Sequence, residues 1–445
     1  MTFWTAARVA DALGVRAPIH AGFAGISTDT RAVRQGELFV ALKGEHFDAH
    51  GFLADARDRG AAAAVVRRGT PGVDGLPFFE VPDTLQALGA LARARRRSLP
   101  ADAQVVAVTG SSGKTSTKEM IRAVLGTRWR VHATTGNLNN LVGVPLTILG
   151  APGDTQALVI EAGASVPGEI ARLRAIIEPT VAVVTNVGHA HTEGFGSLAG
   201  VMREKVSLVD GVPLAVVGTE PPDLALEARR RTRTVVAGTS AGAEVRPDGV
   251  TQDDDGRARL SWRGHRVTLP LPGLHQVENA MIALAVGLEA GADSAAALAA
   301  LGTVQVPGGR GALRDMGRLL VLDDTYNANP ESLGRAVELA RFMAARARRP
   351  LAVVVGTMLE LGPESGKLHA AASAEIVGAA PALVAAVGEF VPALEARRKE
   401  LKRLVVAPDA DALGPALKAA LAGNELVLLK ASRGIALERV LRHLT

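Results

Sequence analysis

The segment VVAVTGSSGKTSTKEM, residues 105–120, carries side chains suited to binding nucleotide phosphates. Its glycines allow a tight turn that brings backbone N–H groups close to phosphate oxygens, and the helix expected after it adds positive potential. Lys114 can reach the β- and γ-phosphates, and the Thr115 hydroxyl can ligate Mg²⁺. The predicted phosphate loop consists of Gly110, Ser111, Ser112, Gly113, Lys114, Thr115 and Ser116.

This loop is a shortened form of the eight-residue phosphate-binding motif, because Val108 stands where that motif has its first glycine. A bare Gly-Lys-Thr is a weak signal, and an incidental glycine-rich turn is the alternative. The β-branched strand before the loop and the helix after it favour phosphate binding. The loop alone does not choose between a kinase, an ATPase, a GTPase and a ligase.

Further polar residues follow predicted strands. Glu161 ends the apolar run ALVIE, where ligands bind in open α/β sheets, and a helix-capping carboxylate is the alternative. The run TVAVVTNVG leads to Asn186, His189 and His191, although any one of these histidines can be an ordinary loop residue. Lys205 is one of only nine lysines in an arginine-rich chain. That scarcity hints at chemistry that arginine cannot perform, with a solvated helical lysine as the alternative.

Alternating strand and helix patterns predict an α/β fold with mostly parallel sheets. The first segment, residues 1–98, has short strands between helices and is expected to be a small α/β domain. The second, 99–305, alternates around the phosphate loop, then shows antiparallel strands within 243–270 and a helix near Val277. The third, 306–445, begins at the Pro307-Gly308-Gly309 break and has the pattern of a Rossmann-like sheet ending in a last helix.

The composition of the 445 residues limits the class of protein. Hydrophobic residues at 48% and charged residues at 21% exclude a disordered chain, and the lack of cysteine excludes disulfides and thiolate sites. The net charge of +5 is dispersed and there is one tyrosine, so we expect a small anionic ligand and no nucleic acid. With neither a secretory signal pattern nor an apolar run of spanning length, we expect a cytoplasmic protein without a membrane span.

Eight segments, spread in order over the whole chain, resemble the Mur ligase family. They are GISTDTRAVRQGELFVALKGEHFDAHGFL (25–53), TTGNLNNLVGVPLTIL (134–149), EAGASVPGEI (161–170), TNVGHAHTEGFGSLAGVMREK (185–205), LPGLHQVENA (271–280), DDTYNANPESL (323–333), GTMLELGPESGKLH (356–369) and LLKASRGIALE (428–438). GNLNN and DDTYNANP favour the family member that adds D-alanyl-D-alanine over its muropeptide-ligase and folylpolyglutamate-ligase relatives.

The resemblance implies an ATP-dependent amide ligase of peptidoglycan synthesis that uses Mg²⁺. ATP would phosphorylate the terminal carboxylate of UDP-N-acetylmuramoyl-tripeptide (UDP-MurNAc-tripeptide), and the amine of D-alanyl-D-alanine would attack the acyl phosphate. Three domains are implied: residues 1–98 for the UDP substrate, 99–305 for ATP, and 306–445 contributing to both ATP and D-alanyl-D-alanine binding. A monomer with mobile domains is the default expectation.

The resemblance also implies roles at the ATP site. The catalytic residues would be Lys114, His191, Lys205 and Arg310. The metal ligands would be Thr115, Glu161, His191 and Lys205, with Lys205 carbamylated so that it helps to hold a second Mg²⁺. His275 and Asn279 lie four residues apart, on one helix face, and would flank the adenine. Arg310 would act on the γ-phosphate like an arginine finger, and Asp324 would contact the ribose or support domain closure.

Substrate-binding roles follow from the same resemblance. The uridine-diphosphate end would contact Ser27, Thr28, Thr30, Arg31 and Lys43. The MurNAc end would contact Thr135, Asn137, Asn139 and Asn140. The D-alanyl-D-alanine end would contact Tyr326, Asn327, Asn329, Lys430, Ser432 and Arg433. In that last group the cations would bind the dipeptide carboxylate.

The chain departs from the family pattern at two positions. Thr357 stands where GDMxEL has Asp, and a hydroxyl cannot supply a negative charge to an incoming amine. Ala431 replaces a glycine of the KGSR pattern and adds only a methyl group. Two other functions stay open: a related ligase with another acyl acceptor, such as folate, and a phosphate-loop switch that hydrolyses nucleotide slowly. The third residue of the tripeptide cannot be read from the sequence.

Overall fold

The computed structural model describes residues 3–44 and 47–444 and confirms the predicted α/β class with mostly parallel sheets. It divides into two compact units. The first unit contains the chain up to Val105, together with His132–Ala162 and Ala171–Pro179; the second contains Val106–Val131, Gly163–Ile170 and the chain from Thr180 onward. The boundaries near residues 98 and 305 stay predictions. None of the described helices is long and apolar enough to span a bilayer.

The first unit begins with a small α/β structure. Its elements are β1 (Trp4–Thr5), α1 (Ala6–Leu13), β2 (Gly22–Phe23), β3 (Ile26–Ser27), β4 (Leu38–Val40), α2 (Leu53–Asp58), β5 (Ala63–Arg67), β6 (Phe78–Val81) and α3 (Thr84–Arg97). Strands β3 to β6 form a parallel sheet in chain order, and β1 pairs with β2. Successive strand residues face opposite sides, so Val40 and Val65 enter one apolar cluster, and Phe39 and Ala64 another.

The middle of the chain alternates strand and helix, as the sequence predicts. Its elements are β7 (Gln104–Thr109), α4 (Lys114–Leu125), β8 (Val131–Ala133), α5 (Gly143–Leu149), β9 (Ala157–Glu161), α6 (Glu169–Ile177), β10 (Val181–Val184), α7 (Thr192–Phe195), α8 (Leu198–Val206), β11 (Leu214–Val217), α9 (Pro222–Arg229) and β12 (Arg233–Val236). In the second unit, parallel strands lie in the order β12-β11-β10-β7. Val184 is in register with Thr109 and Val217, so the loops after these strands leave from one edge.

An antiparallel ribbon and two helices follow: β13 (Gly249–Gln252), β14 (Arg257–Trp262), β15 (His265–Pro272), α10 (His275–Ala290) and α11 (Ser294–Leu301). The strands expected within 243–270 are therefore present, and the helix expected near Val277 begins at His275. A Cβ at Gly287 would lie 2.2 Å from Val124 Cγ1, so glycine allows α10 to approach α4 closely. This packing holds the helix that follows the phosphate loop.

The last part of the chain is a second α/β sheet with helices on both faces. Its elements are β16 (Ala312–Met316), β17 (Leu319–Asp324), α12 (Pro330–Arg346), β18 (Leu351–Val355), α13 (Ser365–Gly378), β19 (Leu383–Val387), α14 (Phe390–Glu395), β20 (Leu404–Ala407), α15 (Ala410–Ala420) and β21 (Leu426–Lys430). The strand order is β16-β17-β21-β18-β19-β20, with only β16 antiparallel. Val353 and Val354 enter opposite apolar clusters because both faces are covered. The expected last helix is 3₁₀, at Arg433–Ile435 and Leu437–His443, interrupted by Ala436 with φ 54°.

Candidate active site

The phosphate loop lies between the end of β7 and the start of α4, where the sequence predicts it. Gly110 has φ 146° and Gly113 has φ 78°, a region that favours glycine. A Cβ at Gly110 would lie 2.0 Å from Thr185 Oγ1, and one at Gly113 would lie 2.6 Å from Asn279 Oδ1. Both glycines are therefore required by backbone conformation and by space.

The loop is held by the residues that follow β10. The Ser112 N–H donates to Asn186 Oδ1 at 3.0 Å, and the Ser111 N–H donates to the Asn186 carbonyl at 3.0 Å. Asn186 Nδ2 and the Thr185 hydroxyl both donate to the Ser112 carbonyl, at 3.2 and 2.6 Å. The Ser111 hydroxyl bonds both backbone groups of Gly188, at 3.0 and 2.9 Å. The loop is therefore preorganised by its neighbour in the sheet.

Lys114 and Thr115 occupy the first turn of α4. The Lys114 ammonium donates to the Gly110 carbonyl at 2.7 Å and lies 3.4 Å from the Ser111 carbonyl. It therefore folds over the loop, in the position from which it can meet phosphate oxygens. Thr115 and Ser116 are both 6% exposed, so each hydroxyl is largely shielded from bulk water.

Lys205 is fully buried on α8. Its Nζ lies 3.5 Å from the Ala164 carbonyl and 5.4 Å from the centroid of the Phe195 ring. Burial and the nearby Lys114 ammonium lower the pKa of Lys205 to about 7, although Glu204 and Glu169 oppose the shift. The Glu204 carboxylate accepts the N–H groups of Gly168 and Ile170, each at 2.8 Å. A substantial fraction of Lys205 is therefore a neutral amine near neutral pH.

The two histidines after β10 meet carboxylates from the last part of the chain, one on the first turn of α12 and one in the loop after β18. His191 has φ 58°, and its Nδ1 hydrogen-bonds the Glu360 carboxylate. That bond lowers the pKa of Glu360 below its usual range. His189, to which the sequence assigned no role, donates to Glu331 Oε1 from its backbone N–H at 2.9 Å, and its Nδ1 lies 2.7 Å from the same oxygen. His191 is thus paired with Glu360, and Lys205 contacts Ala164, the residue before Ser165, whose hydroxyl lies 3.5 Å from His191 Nδ1.

Asp324 and Lys430 are neighbours at the carboxyl ends of β17 and β21. The Lys430 ammonium donates to the Asp324 carboxylate and to the Asn327 carbonyl, the latter at 3.0 Å. Burial raises the pKa of Asp324, while Lys430 acts in the opposite direction. Lys430, which the sequence assigned to the dipeptide carboxylate, therefore already neutralises an acidic side chain. Arg433 is exposed and pairs with Glu438 at 2.9 Å.

Ser432 joins three loops. It is 3% exposed, its N–H donates to the Thr357 carbonyl at 3.1 Å, and its hydroxyl donates to the Ala328 carbonyl at 3.3 Å. The same hydroxyl accepts the Leu359 N–H at 2.9 Å. Thr357, at the family's aspartate position, accepts the Glu389 N–H with its hydroxyl at 2.9 Å. The hydroxyl of Thr357 thus serves the turn before α14.

Arg310 stacks on Tyr326, the only tyrosine in the chain, with the guanidinium carbon 3.4 Å from the ring centroid. The Tyr326 N–H donates to the Gly309 carbonyl at 2.8 Å, which fixes the two loops together. Asn329 caps α12 by accepting the Ser332 N–H at 2.8 Å. Tyr326 therefore holds the predicted arginine finger in one defined place.

Asn279 and His275 lie at the start of α10. Asn279 Oδ1 accepts the Thr117 hydroxyl at 3.1 Å, so this side chain supports the start of α4 directly behind Gly113. Asn279 Nδ2 donates to Gln276 Oε1 at 3.0 Å, and Gln276 Nε2 lies 3.1 Å from His275 Nε2. Burial, with the charges of Arg335 and Lys430, lowers the pKa of His275 to about 4. The imidazole is therefore neutral at physiological pH.

In the first unit, the predicted uridine-diphosphate residues lie at or after the ends of β3 and β4, which are parallel neighbours and end at one edge. Arg31 donates to the Asp29 carboxylate at 2.8 Å, and this bond lowers the pKa of Asp29 to about 2. Ser27 Oγ donates to the Asp29 carbonyl at 3.1 Å, and Lys43 lies 3.7 Å from the Asp48 carboxylate. The remaining members, Thr28 and Thr30, are half-buried in the same turn.

The GNLNN segment and Glu161 also lie in the first unit, around β8 and β9. Asn139 Nδ2 donates to Glu161 Oε1 at 2.9 Å, and Glu161 is 3% exposed. Asn140 Oδ1 accepts the N–H groups of Val142 and Gly143, at 3.1 and 2.9 Å, which starts α5. Thr135 and Asn137 accept backbone N–H groups within the same turn. Asn139 thus orients the carboxylate that the resemblance assigns to Mg²⁺.

The donor set fits a magnesium ion only in combination with nucleotide. Within residues 3–44 and 47–444, no three His, Asp or Glu side chains are grouped so that they could hold a metal by themselves. Mg²⁺ usually keeps several waters and binds through one or two protein oxygens plus substrate phosphates. A shielded Thr115 hydroxyl beside the phosphate loop is a ligand of that kind.

Three residues central to this arrangement were assigned no role from the sequence. Asn186 carried a usable signal, because it directly follows a predicted strand beside the phosphate loop. Glu331 and Glu360 carried no such signal, since Glu331 is 142 residues from His189 and Glu360 is 169 residues from His191. Their partners could be found only after the chain had folded.

Three models of the Mur ligase family match successive parts of the chain. They are the Mur ligase family catalytic domain at residues 22–96, the Mur ligase middle domain at 108–287, and the glutamate ligase domain at 309–433. The phosphate loop, Lys205 and Asn279 fall within the second match, and Asp324 and Lys430 within the third.

Relatives match nearly the whole chain. It is 36% identical over 435 residues to UDP-N-acetylmuramoyl-tripeptide–D-alanyl-D-alanine ligase of Bacillus subtilis (strain 168), covering 94% of this chain and 93% of that one. It resembles a crystal structure of MurF from Acinetobacter baumannii, with a TM-score of 0.89, 30% identity and coverage of 99% and 98%. It also resembles MurF from Thermotoga maritima in complex with ADP, with a TM-score of 0.82, 30% identity and coverage of 94% and 96%. The chain therefore belongs to the Mur ligase family.

Proposed function

We propose that this protein is an ATP-dependent ligase that joins D-alanyl-D-alanine to UDP-MurNAc-tripeptide, giving UDP-MurNAc-pentapeptide for peptidoglycan synthesis in the cytoplasm. The observation that carries the proposal is the phosphate loop, held by Asn186 with Lys114 folded over it, in a chain that matches a ligase of this name over nearly its whole length. Relatives of almost the same length carry the name of this ligase. A nucleotide switch has no use for the additional Asp324–Lys430 and Ser432 loops.

The nucleotide is bound by backbone N–H groups of Gly110–Thr115 and by Lys114, which exchanges the Gly110 carbonyl for phosphate oxygens. Asn279 and the neutral His275 flank the adenine, since an amide offers both a donor and an acceptor to a purine edge. Asp324 faces the ribose. Arg310 leaves the Tyr326 ring to neutralise the γ-phosphate, as an arginine finger does.

The reaction then proceeds in two steps, transfer of the γ-phosphoryl group and formation of the amide. An oxygen of the tripeptide carboxylate attacks the γ-phosphorus, the bond to the β-phosphate oxygen breaks, and ADP leaves an acyl phosphate. The neutral amine of D-alanyl-D-alanine attacks the acyl carbon, phosphate departs, and the ammonium loses a proton to give the amide. Lys114 and Arg310 stabilise the negative charge that both steps develop.

Lys205 is proposed to be carbamylated. Its amine is fully buried, with a pKa lowered to about 7, and in its neutral form it can attack the carbon of CO₂ and lose a proton, which gives an anionic carbamate. Thr115, His191 and this carbamate are the proposed Mg²⁺ ligands, and Glu161 is assigned the same role. When bound, Mg²⁺ neutralises charge on the transferring phosphate.

Substrate contacts follow the resemblance. Ser27, Thr28, Thr30, Arg31 and Lys43 are assigned to the uridine-diphosphate end, and Thr135, Asn137, Asn139 and Asn140 to the MurNAc end. Tyr326, Asn327, Asn329, Lys430, Ser432 and Arg433 are assigned to D-alanyl-D-alanine. Arg433 is the group's exposed cation, so we assign it the dipeptide carboxylate. The protein is proposed to act as a monomer.

The test is ADP release measured with UDP-MurNAc-tripeptide and ATP, with and without D-alanyl-D-alanine. We expect release to require both substrates and to match the formation of pentapeptide. Equal release without the dipeptide would identify a nucleotide switch, and activity only with another acyl acceptor would identify a different ligase. Lys114→Ala is the control with impaired catalysis. We expect it to keep less than about a tenth of the wild-type kcat, which corresponds to an activation free energy raised by roughly 1.4 kcal/mol or more.

A further inference from the structure

His369 on α13 is fully buried and uses both of its ring nitrogens. Its ring packs edge-on against Phe390, with the centroids 4.7 Å apart. Nδ1 lies 2.8 Å from the Ser365 carbonyl oxygen, and Nε2 lies 3.0 Å from the backbone nitrogen of Met358. A carbonyl only accepts and an amide N–H only donates, so the proton is on Nδ1 and the lone pair of Nε2 faces Met358.

The Met358 amide belongs to the segment Gly356–Leu361 that follows β18, which we call the docking loop. Met358 itself is fully buried in the apolar cluster beneath the loop. The next amide, Leu359 N–H, donates to Ser432 Oγ at 2.9 Å, and the Thr357 carbonyl accepts the Ser432 N–H at 3.1 Å. His369 and Ser432 therefore fix two consecutive amides of the docking loop.

The far end of the docking loop contacts the loop after β10. The Glu360 carbonyl accepts the Glu193 N–H at 3.1 Å, and the Leu361 carbonyl accepts the Thr192 hydroxyl at 3.2 Å. The Glu360 side chain contacts His191 Nδ1. Glu360 has φ 64°, a conformation that a non-glycine residue keeps only where its surroundings fix it. The amides fixed by His369 and Ser432 lie immediately before this strained residue.

We infer that His369 is a positioning residue for the ligase reaction: by accepting the Met358 N–H, it sets the docking loop so that Glu360 meets His191. The inference rests on the proposed function. The side-chain contacts of His369 among the described residues, with Met358, Ser365, Phe390 and Glu389, include none of the residues assigned to substrate, so it acts through Glu360. A buried amide that loses its acceptor is destabilised in place, and movement of the Met358 N–H toward another acceptor would displace Glu360, two residues later.

Two substitutions separate positioning from general support of the fold. His369→Gln places an amide oxygen near the Nε2 position and keeps an acceptor for Met358, whereas His369→Asn places its amide near Nδ1 and leaves Met358 without one. We expect the Asn variant to lose about tenfold in kcat, the effect of one buried hydrogen bond, with the KM for ATP little changed. The Gln variant should keep most of the wild-type kcat. A purely structural histidine predicts equal losses, and that result would overturn the inference.

A double-mutant cycle tests the route through Glu360. Glu360→Ala should reproduce the kcat loss of His369→Asn, and the double variant should lose no more than either single one, because both remove the same contact. Additive losses would show that His369 acts elsewhere.

Amide exchange at Met358 gives a readout that does not depend on activity. Exchange should be faster in His369→Asn than in the wild type and in His369→Gln. The same exchange in all three proteins would refute the inference, even if the wild type ligates D-alanyl-D-alanine. A wild type without ligase turnover would refute the proposed function alone, and the exchange rates would still decide whether His369 holds the docking loop.

Discussion

Glu331 accepts two hydrogen bonds from His189 through a single oxygen, Oε1, at 2.9 Å from the backbone nitrogen and 2.7 Å from the ring Nδ1. His189 follows β10 beside the phosphate loop, whereas Glu331 lies in the first turn of α12. Gly188 packs so closely on the Glu331 carboxylate that an added Cβ would lie 2.9 Å from its carbon. The contact therefore joins the nucleotide side of the second unit to the helix after the Tyr326 loop.

Glu331→Ala should remove the contact between His189 and the start of α12. The Glu331 side chain is about a third exposed, and the variant loses both hydrogen bonds to it. We expect kcat to fall several-fold, which corresponds to an activation free energy raised by about 1 kcal/mol. Glu338→Ala is the matched control, because it removes the same charge from an exposed position on the same helix. Steady-state kinetics on both variants make the comparison, and equal effects would contradict a role for the Glu331–His189 contact.

Lys205→Ala should lose about 100-fold or more in kcat, the scale of removing one charge-stabilising group. A small carboxylate such as acetate should restore part of the activity, because it can occupy the space that the proposed carbamate would fill. Activity measured against acetate concentration, with chloride at the same ionic strength as the control, checks this. Lys114→Ala should show no such rescue. An active Lys205→Ala variant would end the carbamate proposal.

The Asp324–Lys430 pair makes a prediction about stability. Lys430→Met should destabilise the protein by about 3 kcal/mol, because it leaves a largely buried carboxylate without its partner. Adding Asp324→Asn should recover most of that loss. Denaturant unfolding measures both, and Arg433→Ala, at an exposed cation on the next loop, should change stability little. If the double variant is as unstable as Lys430→Met alone, Lys430 stabilises the protein by packing and not by pairing with Asp324.

His275 makes a prediction about pH. Its folded pKa of about 4 lies below the ordinary value of 6.5, so between these values the folded state binds fewer protons than the unfolded state. Stability therefore falls as the pH is lowered through this window. His275→Gln removes the effect, and melting temperatures measured from about pH 7 to 4 should fall less steeply for the variant than for the wild type. If the melting temperatures of the two proteins fall equally with pH, the lowered pKa of His275 is contradicted.

The sequence by itself determined the elements and the place of the phosphate chemistry. Glycine positions 110 and 113, the β-branched strand before them and the helix after them are local features, and local backbone geometry follows from residue type. Strand–helix alternation likewise predicted parallel sheets, because a helical crossover brings the next strand back parallel to the previous one. The ordered segments similar to Mur ligases identified the family without any contact being known.

Only the tertiary structure decided which side chains meet. His191 contacts Glu360 and His189 contacts Glu331, across 169 and 142 residues, because the loop after β10 approaches both the loop after β18 and the start of α12. Lys430 is paired with Asp324, and burial together with the Lys114 ammonium lowers the pKa of Lys205. The residue type alone reveals neither the ion pair nor the pKa shift. The physical reason is that burial and charge pairing depend on every element packed around a group, whereas sequence patterns encode only the element on which it lies.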